Sequence, residues 1–221
     1  MAANKELESF CYAVSHDLRA PLRSIDGFSY ALIQDYGDDL DSEAKEFLDR
    51  IRGATKRMDE LISALLVLSR VTTTPMVPER IDLSALVDVS CALAAQRNGH
   101  NPSLQIEPGL EVDGDRKMLK AVIEQLIGNA YKFTAKVEAP EIQFGKLPNE
   151  GPYFVRDNGV GFDPGQAGKL FQPFERLHHP REYAGEGIGL ATAQRIIRKH
   201  GGRIWFESEP GKGATFFFVL S

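Results

Sequence analysis

Leu7, Cys11, Val14, Leu18, Pro21, Ile25, Phe28 and Leu32 fall alternately four and three residues apart. That is a heptad seam, and it commits the first segment to helix. Tyr36-Gly37-Asp38-Asp39 breaks the pattern, and Asp41 or Ser42 can cap a second helix. The seam then resumes at Phe47, Ile51, Ala54, Met58, Leu61, Leu65 and Leu68, widened on one flank by Leu48, Thr55 and Ile62. Two long helices joined by a short loop make an antiparallel hairpin. One hairpin cannot cover two seams this wide, but two copies bury them as a four-helix bundle. The expected fold is therefore an α-helical hairpin forming a dimeric four-helix bundle, with the chain a homodimer.

On this seam His16 takes an outward position beside Asp17, within Ser15-His16-Asp17-Leu18-Arg19-Ala20-Pro21-Leu22. Pro21 lacks an N–H and predicts a kink one turn beyond His16. An exposed histidine beside an acid is a surface feature or a reaction centre, and the stretch alone does not decide between them.

Val71-Thr72-Thr73-Thr74-Pro75-Met76-Val77-Pro78 ends the second helix. Threonines and prolines so close together mark a boundary. The expected division is residues 1–75, a linker at 76–80, and a second domain at 81–221. In that domain short strands are expected at 79–83, 104–107, 111–112, 141–146, 153–156, 203–207 and 215–220. Helices are expected from 82 or 84 to 97, 115–134 and about 188–200. The Leu104 and Glu111 strands flank a Pro-Gly turn, and the last two strands form a hairpin around Pro210-Gly211-Lys212-Gly213. Such an order gives an α/β two-layer sandwich, a mixed sheet with helices on one face.

Apolar content of 43% and charged content of 26% suit ordinary globular domains. The net charge of -5 argues against nucleic acid as partner. Cys11 and Cys91 stand far apart without metal-ligand spacing and read as reduced thiols. The N-terminus has no apolar core of a signal peptide, and no run approaches the ~20 apolar residues of a membrane helix. The expected location is cytoplasmic, with a longer parent protein free to be membrane-attached. The abrupt start within a helical pattern suggests an excised C-terminal piece of a longer chain.

Three stretches of the second domain suit a nucleotide. Asp157-Asn158-Gly159-Val160-Gly161-Phe162 follows a strand. Its glycines allow close backbone approach, and its acid can accept a hydrogen bond from an exocyclic amine such as that of adenine. Gly185-Glu186-Gly187-Ile188-Gly189-Leu190 opens a helix, where free N–H groups and the helix dipole favour phosphate. It is neither a dinucleotide fingerprint nor a P-loop. Asn129 interrupts an apolar helix, and its amide oxygen is a hard ligand suited to Mg²⁺. Lys132, one turn on, can hold a phosphate. Taken singly, each has a bland alternative: a common turn, a flexible loop, an Asn bonded to backbone.

Taken together and in order, these stretches make the chain resemble a sensor histidine kinase of two-component signalling. The resemblance covers essentially all of it. His16 matches the H box of a dimerisation and phosphoacceptor domain. Residues from about 80 match the ATP-binding domain of the gyrase, Hsp90, histidine kinase and MutL group. Asn129 matches the N box, Asp157 to Gly161 the first glycine box, and Gly185 to Gly189 the second. Phe171-Gln172-Pro173-Phe174-Glu175-Arg176 matches the F box of the ATP lid, and Gly213-Ala214-Thr215-Phe216 the last strand motif. The wording around His16 looks most like the phytochrome-like branch.

The resemblance implies an ATP- and Mg²⁺-dependent histidine kinase that phosphorylates His16 and passes the phosphoryl group to an aspartate of a response regulator receiver domain. Asp17 would hold the imidazole tautomer. Asn129 would bind metal. Lys132, Phe133, Asp157, Gly159, Gly161, Gly185, Gly187, Gly189, Leu190 and Thr215 would bind nucleotide, with the Thr215 hydroxyl near adenine and Phe133 against the ring. Lys169, Arg176 and Arg181 are lid candidates. Two positions depart from the pattern. Gln125 stands where a second Asn is common, and Ala20 stands where Thr or Asn serves dephosphorylation of the regulator, which implies weak phosphatase activity. The resemblance also implies an upstream sensor domain outside this chain. Two other readings remain: another member of the ATP-binding group, such as a mitochondrial-type protein kinase or an Hsp90-like ATPase, against which the His16 hairpin argues, and a dimeric nucleotide-binding signalling scaffold with little or no turnover.

Overall fold

The computed structural model describes residues 2–175, 177, 182–183 and 187–221, with backbone alone at 2–12, 64–65, 67–68, 70, 72 and 166–167. It divides into two compact units, Met1–Thr73 and Thr74–Ser221.

The first unit is a hairpin of α1 (Ala2–Tyr36) and α2 (Ser42–Thr73). α1 continues through Pro21 as one element. Asp41 starts α2, its carboxylate accepting the Ala44 N–H at 2.7 Å. The hairpin does not close along the main seam. It closes along a narrower stripe, with Ser15, Leu22 and Ser29 buried on α1 and Thr55, Ile62 and Ser69 on α2, each seven residues from the next. Small side chains let the helices approach, and two of their hydroxyls are turned onto their own backbone: Ser29 donates to Ile25 O at 2.7 Å and Thr55 to Arg52 O at 2.9 Å. Arg19 donates to Asp59 and Ser63, and Arg52 to Asp26, across the pair. The seam faces outward instead. Leu18, Ile25, Phe28, Leu32, Phe47, Ile51, Met58 and Leu61 are all exposed, Phe28 by 73%.

The second unit has β1 (Pro78–Asp82), α3 (Leu83–Asn98), β2 (Ser103–Ile106), β3 (Glu111–Asp115), α4 (Arg116–Thr134), β4 (Glu141–Lys146), β5 (Tyr153–Asp157), a short 3-10 turn (Pro164–Lys169), α5 (Gly189–Lys199), β6 (Arg203–Glu209) and β7 (Gly213–Val219). A five-stranded sheet runs β2-β4-β5-β7-β6, with β2 parallel to β4 and the other pairs antiparallel. α4 packs between α3 and α5, and its buried Leu119, Ile123, Leu126 and Ile127 share one core with Ile142, Phe144, Val155, Phe216 and Phe218 of the sheet. The strands on either side of Pro108-Gly109 do not pair with each other. β3 instead pairs antiparallel with β1, placing Val112 opposite the fully buried Ile81. The linker expected over 76–80 is shorter, because Pro78 to Arg80 already belong to that ladder.

The join between β3 and α4 is fixed from the far end of α5. His200 is buried; its Nδ1 donates to Ile196 O at 2.8 Å and its Nε2 accepts the Asp115 N–H at 3.0 Å. That pairing needs a neutral ring with its proton on Nδ1. Asp115 caps α4 by accepting the Met118 N–H at 3.0 Å. Burial alone would raise its carboxyl, but N–H groups of Val77, Met118 and Lys117 outweigh burial and hold it below its ordinary value. Among the described residues no helix is long and apolar enough to cross a membrane.

Candidate functional site

On the hairpin, His16 and Asp17 project from α1 with side chains 75% and 81% exposed. The His16 Nδ1 lies 3.2 Å from the Asp17 carboxylate. A proton on Nδ1 directed at Asp17 leaves Nε2 with its lone pair facing outward. Ala20, one turn on, is also exposed.

In the second unit the site residues converge where α4 ends, β5 ends and α5 begins. Asp157 is the last residue of β5 and is buried. Its carboxylate accepts the Gly159 N–H at 2.9 Å. Burial pushes this carboxyl up to about 6, against the Gly159 and Ala214 N–H groups, which pull it down. Gly159 lies against the Phe133 carbonyl, and a Cβ there would meet it at 2.7 Å. Gly161 has φ 59° and lies against the Glu209 carbonyl, so it requires glycine on two counts. The first glycine stretch is thereby pinned between α4 and the β6–β7 turn, with the Val160 N–H donating to Phe133 O and its carbonyl accepting the Gly211 N–H.

Asn129 is buried on α4, and its amide oxygen accepts from Gln125 Nε2 at 3.1 Å. The second lone pair of that oxygen remains for a cation. Among the described residues no group of three His, Cys, Asp or Glu side chains forms a metal cage, so a cation here would rely on this amide and the phosphates it accompanies. Lys132 Nζ lies 4.2 Å from the centre of the Phe133 ring. That ring also meets the buried Tyr183 at 5.1 Å between centroids. Tyr183 is a neighbour of the candidate site that the sequence reading did not name: its signal was an aromatic inside a polar stretch.

Gly187 has φ 74°, and its carbonyl accepts the Phe174 N–H at 2.8 Å, tying the F box to the start of α5. Gly189 and Leu190 are the first residues of α5, whose N-cap, Ile188, supplies no side-chain acceptor. Lys169 pairs with Glu175 at 3.9 Å. Gly185, Arg176, Arg181, His178 and His179 lie outside the described residues.

Thr215 does not join the site. Asp157 stands opposite Ala214 in the β5–β7 ladder, and Thr215 stands opposite Arg156. Strand alternation turns Thr215 to the other sheet face, where its hydroxyl accepts from Arg156 Nε at 3.2 Å. The residue beside Asp157 is a methyl, Ala214.

The raised carboxyl of Asp157 has a measurable consequence. A group whose folded pKa lies above its unfolded value contributes stability that is full below the unfolded value, 3.8, and lost as pH rises through about 6. The loss amounts to about 3 kcal/mol at neutral pH. Trp205 is the single tryptophan and sits on β6, so its fluorescence reports this unit alone. Denaturation from pH 4 to 7.5 should show that fall in wild type relative to Asp157→Ala. Parallel profiles for the two proteins would mean Asp157 carries no such charge penalty.

Comparison with known proteins agrees with this arrangement. A model of the His Kinase A (phospho-acceptor) domain matches residues 6–74. A model of the histidine kinase-, DNA gyrase B-, and HSP90-like ATPase matches residues 114–221. Cyanobacterial phytochrome A of Nostoc sp. is 36% identical over 221 residues, which is 99% of this chain and 29% of that protein. The methanogenesis regulatory histidine kinase FilI of Methanothrix harundinacea is 38% identical over 226 residues, 99% of this chain and 25% of that protein. The chain thus spans less than a third of these curated relatives. Full-length ShkA in complex with AMPPNP shares the fold at a TM-score of 0.64 and 21% identity, over 96% of this chain and 47% of that one. The Acinetobacter baumannii histidine kinase AdeS does so at 0.61 and 21%, over 93% and 97%. With a phospho-acceptor domain followed by an ATPase domain of this kind, the chain belongs to the histidine kinase family.

Proposed function

We infer that this chain is the catalytic core of an ATP-dependent protein histidine kinase, which phosphorylates itself on His16 and hands the phosphoryl group to an aspartate of a response regulator receiver domain. The observation that carries this reading is the pairing of an exposed His16–Asp17 couple with a buried acid, Asp157, at a glycine-lined nucleotide site in the same chain.

The site residues divide the work by their chemistry. Asp157 accepts the amine of adenine. Gly159, Gly161, Gly187 and Gly189 let backbone approach the nucleotide, and the uncapped start of α5 at Gly189 and Leu190 favours phosphate. Gly185 and Lys132 would add phosphate contacts, and Phe133 with Tyr183 an aromatic wall. Asn129 fits Mg²⁺ as a hard amide oxygen with a spare lone pair; the metal, when bound, supplies charge neutralisation on the phosphates.

Transfer itself needs placement more than covalent help. The His16 Nε2 lone pair forms the bond to the γ-phosphorus as the bond to the bridging β,γ-oxygen breaks, and ADP leaves with that electron pair. Asp17 holds the proton on Nδ1 and offsets the positive charge that develops on the ring. The outward seam supports a homodimer in which two hairpins form one bundle.

Incubation with γ-labelled ATP tests the class of chemistry. A phosphohistidine is acid-labile and base-stable, and that stability pattern is the expected one. Label stable to acid would point to a serine or threonine kinase, and bound nucleotide without label to a scaffold.

A further inference from the structure

Gly189 poses a question that Gly161 and Gly187 do not. Gly161 and Gly187 sit at φ 59° and 74°, where a side chain is strained. Gly189 is the first residue of α5 and has no left-handed backbone to accommodate. Helix geometry therefore tolerates a side chain there. Space does not: a Cβ on Gly189 would fall on the amide group of Gln125. That amide is half-buried, reaches from α4 to the start of α5, and donates to Asn129 Oδ1 at 3.1 Å. Gln125 and Asn129 are four residues apart on one helical face.

We propose that Gln125 is a positioning residue for Asn129, and that Gly189 lacks a side chain in order to seat it. The Gln125 N–H₂ occupies one lone pair of the Asn129 oxygen and fixes the direction of the other. A free amide would rotate, and a metal site held by a single protein oxygen loses affinity when its ligand is not oriented. The extra methylene of Gln, compared with Asn, lets one side chain touch Gly189 and Asn129 together. The N box and the second glycine stretch are joined through it. The proposal rests on Asn129 being the cation ligand, and its test separates the two claims.

The test is calorimetric titration of the full chain with ADP, with and without Mg²⁺. Gln125→Met keeps bulk against Gly189 and removes the donor; Gln125→Ala is the second variant should Met disturb the fold. Either should cut the Mg²⁺-dependent gain in ADP affinity about five- to tenfold, a typical worth of one hydrogen bond, and leave metal-free affinity unchanged. Gly189→Ala should reduce that metal-dependent gain by a similar factor, since its Cβ displaces the flexible end of Gln125, whatever it also does to metal-free affinity through the start of α5. The double variant Gln125→Met with Gly189→Ala should be no worse than either single, as for residues acting through one contact. Additive losses of the metal-dependent gain in the double variant, or a Gly189→Ala protein whose gain equals that of wild type, overturn the proposal. Asn129→Ala supplies the control. If it abolishes the metal-dependent gain and Gln125→Met leaves that gain intact, the positioning role fails and the cation site stands. If Asn129→Ala itself leaves the gain intact, the cation site fails.

Discussion

Asp157→Ala is expected to lower affinity for Mg²⁺-ATP by at least about a hundredfold. Asp157 ends β5 in a buried position, with its carboxylate fixed by the Gly159 N–H. A hydrogen bond from an amine to a buried charged acceptor contributes about 1.5–3 kcal/mol. Removing the acceptor also leaves the adenine amine unpaired in a closed site, which is how polar sites reject the wrong partner by large factors. The same geometry sets selectivity. GTP carries an oxygen where ATP carries that amine, so it presents an acceptor to a carboxylate and should bind far more weakly. It also sets pH dependence: burial pushes this carboxyl up to about 6, so ATP affinity should decline as pH falls through 6 while Asp157 takes up a proton. Titrations of wild type and Asp157→Ala with both nucleotides at two pH values measure all three effects. ATP affinity unchanged in Asp157→Ala would remove this residue from adenine recognition.

The second large effect concerns the hairpin. Phe28→Lys combined with Met58→Lys should convert a dimer to a monomer at micromolar concentration. Phe28 is 73% exposed on one hairpin, and Ile25, Ile51 and Met58 are exposed with it. A contiguous apolar seam on two adjacent helices is a surface that a second copy covers. Two lysines per protomer would place four charges in the bundle centre, where each unpaired charge costs several kcal/mol. The hairpin's own closure should survive, because it runs through Ser15, Leu22, Ser29, Thr55, Ile62 and Ser69. Sedimentation velocity separates the outcomes. A monomeric wild type, or a variant that stays dimeric, would show that the seam is not the dimer face.

That division of labour on the hairpin marks where sequence reading stops. The apolar period was visible, and so was the outward position of His16. The closing stripe showed only as the flank at Thr55 and Ile62, since four of its six residues are serine or threonine, which periodicity counts as solvent-facing. Small polar side chains bury there because helices pack more closely over them, and the Ser29 and Thr55 hydroxyls bond to the preceding turn. In the second unit, glycine and acid motifs were readable because phosphate and adenine chemistry need particular residue types. Thr215 went wrong for a reason of parity. Which face a strand residue occupies depends on its register with β5, and a shift of one residue reverses every side chain. The turn between β2 and β3 was readable but the pairing was not: Gly109, at φ 72°, turns the chain, and each strand pairs with one distant in sequence. Contacts such as Phe133 with Tyr183 and Gln125 with Gly189 join residues distant in sequence, and neither partner alone signals the other.

The central claim is that His16 is the phosphoryl acceptor and that its loss spares the nucleotide site. The direct measurement compares wild type and His16→Ala, recording Mg²⁺-ATP affinity by calorimetry and transfer of γ-label to the chain in the same preparations. The account predicts equal affinity and fold for both, stable label on wild type, and none on His16→Ala. Label persisting on His16→Ala, with the same acid lability, would contradict it and place the acceptor elsewhere.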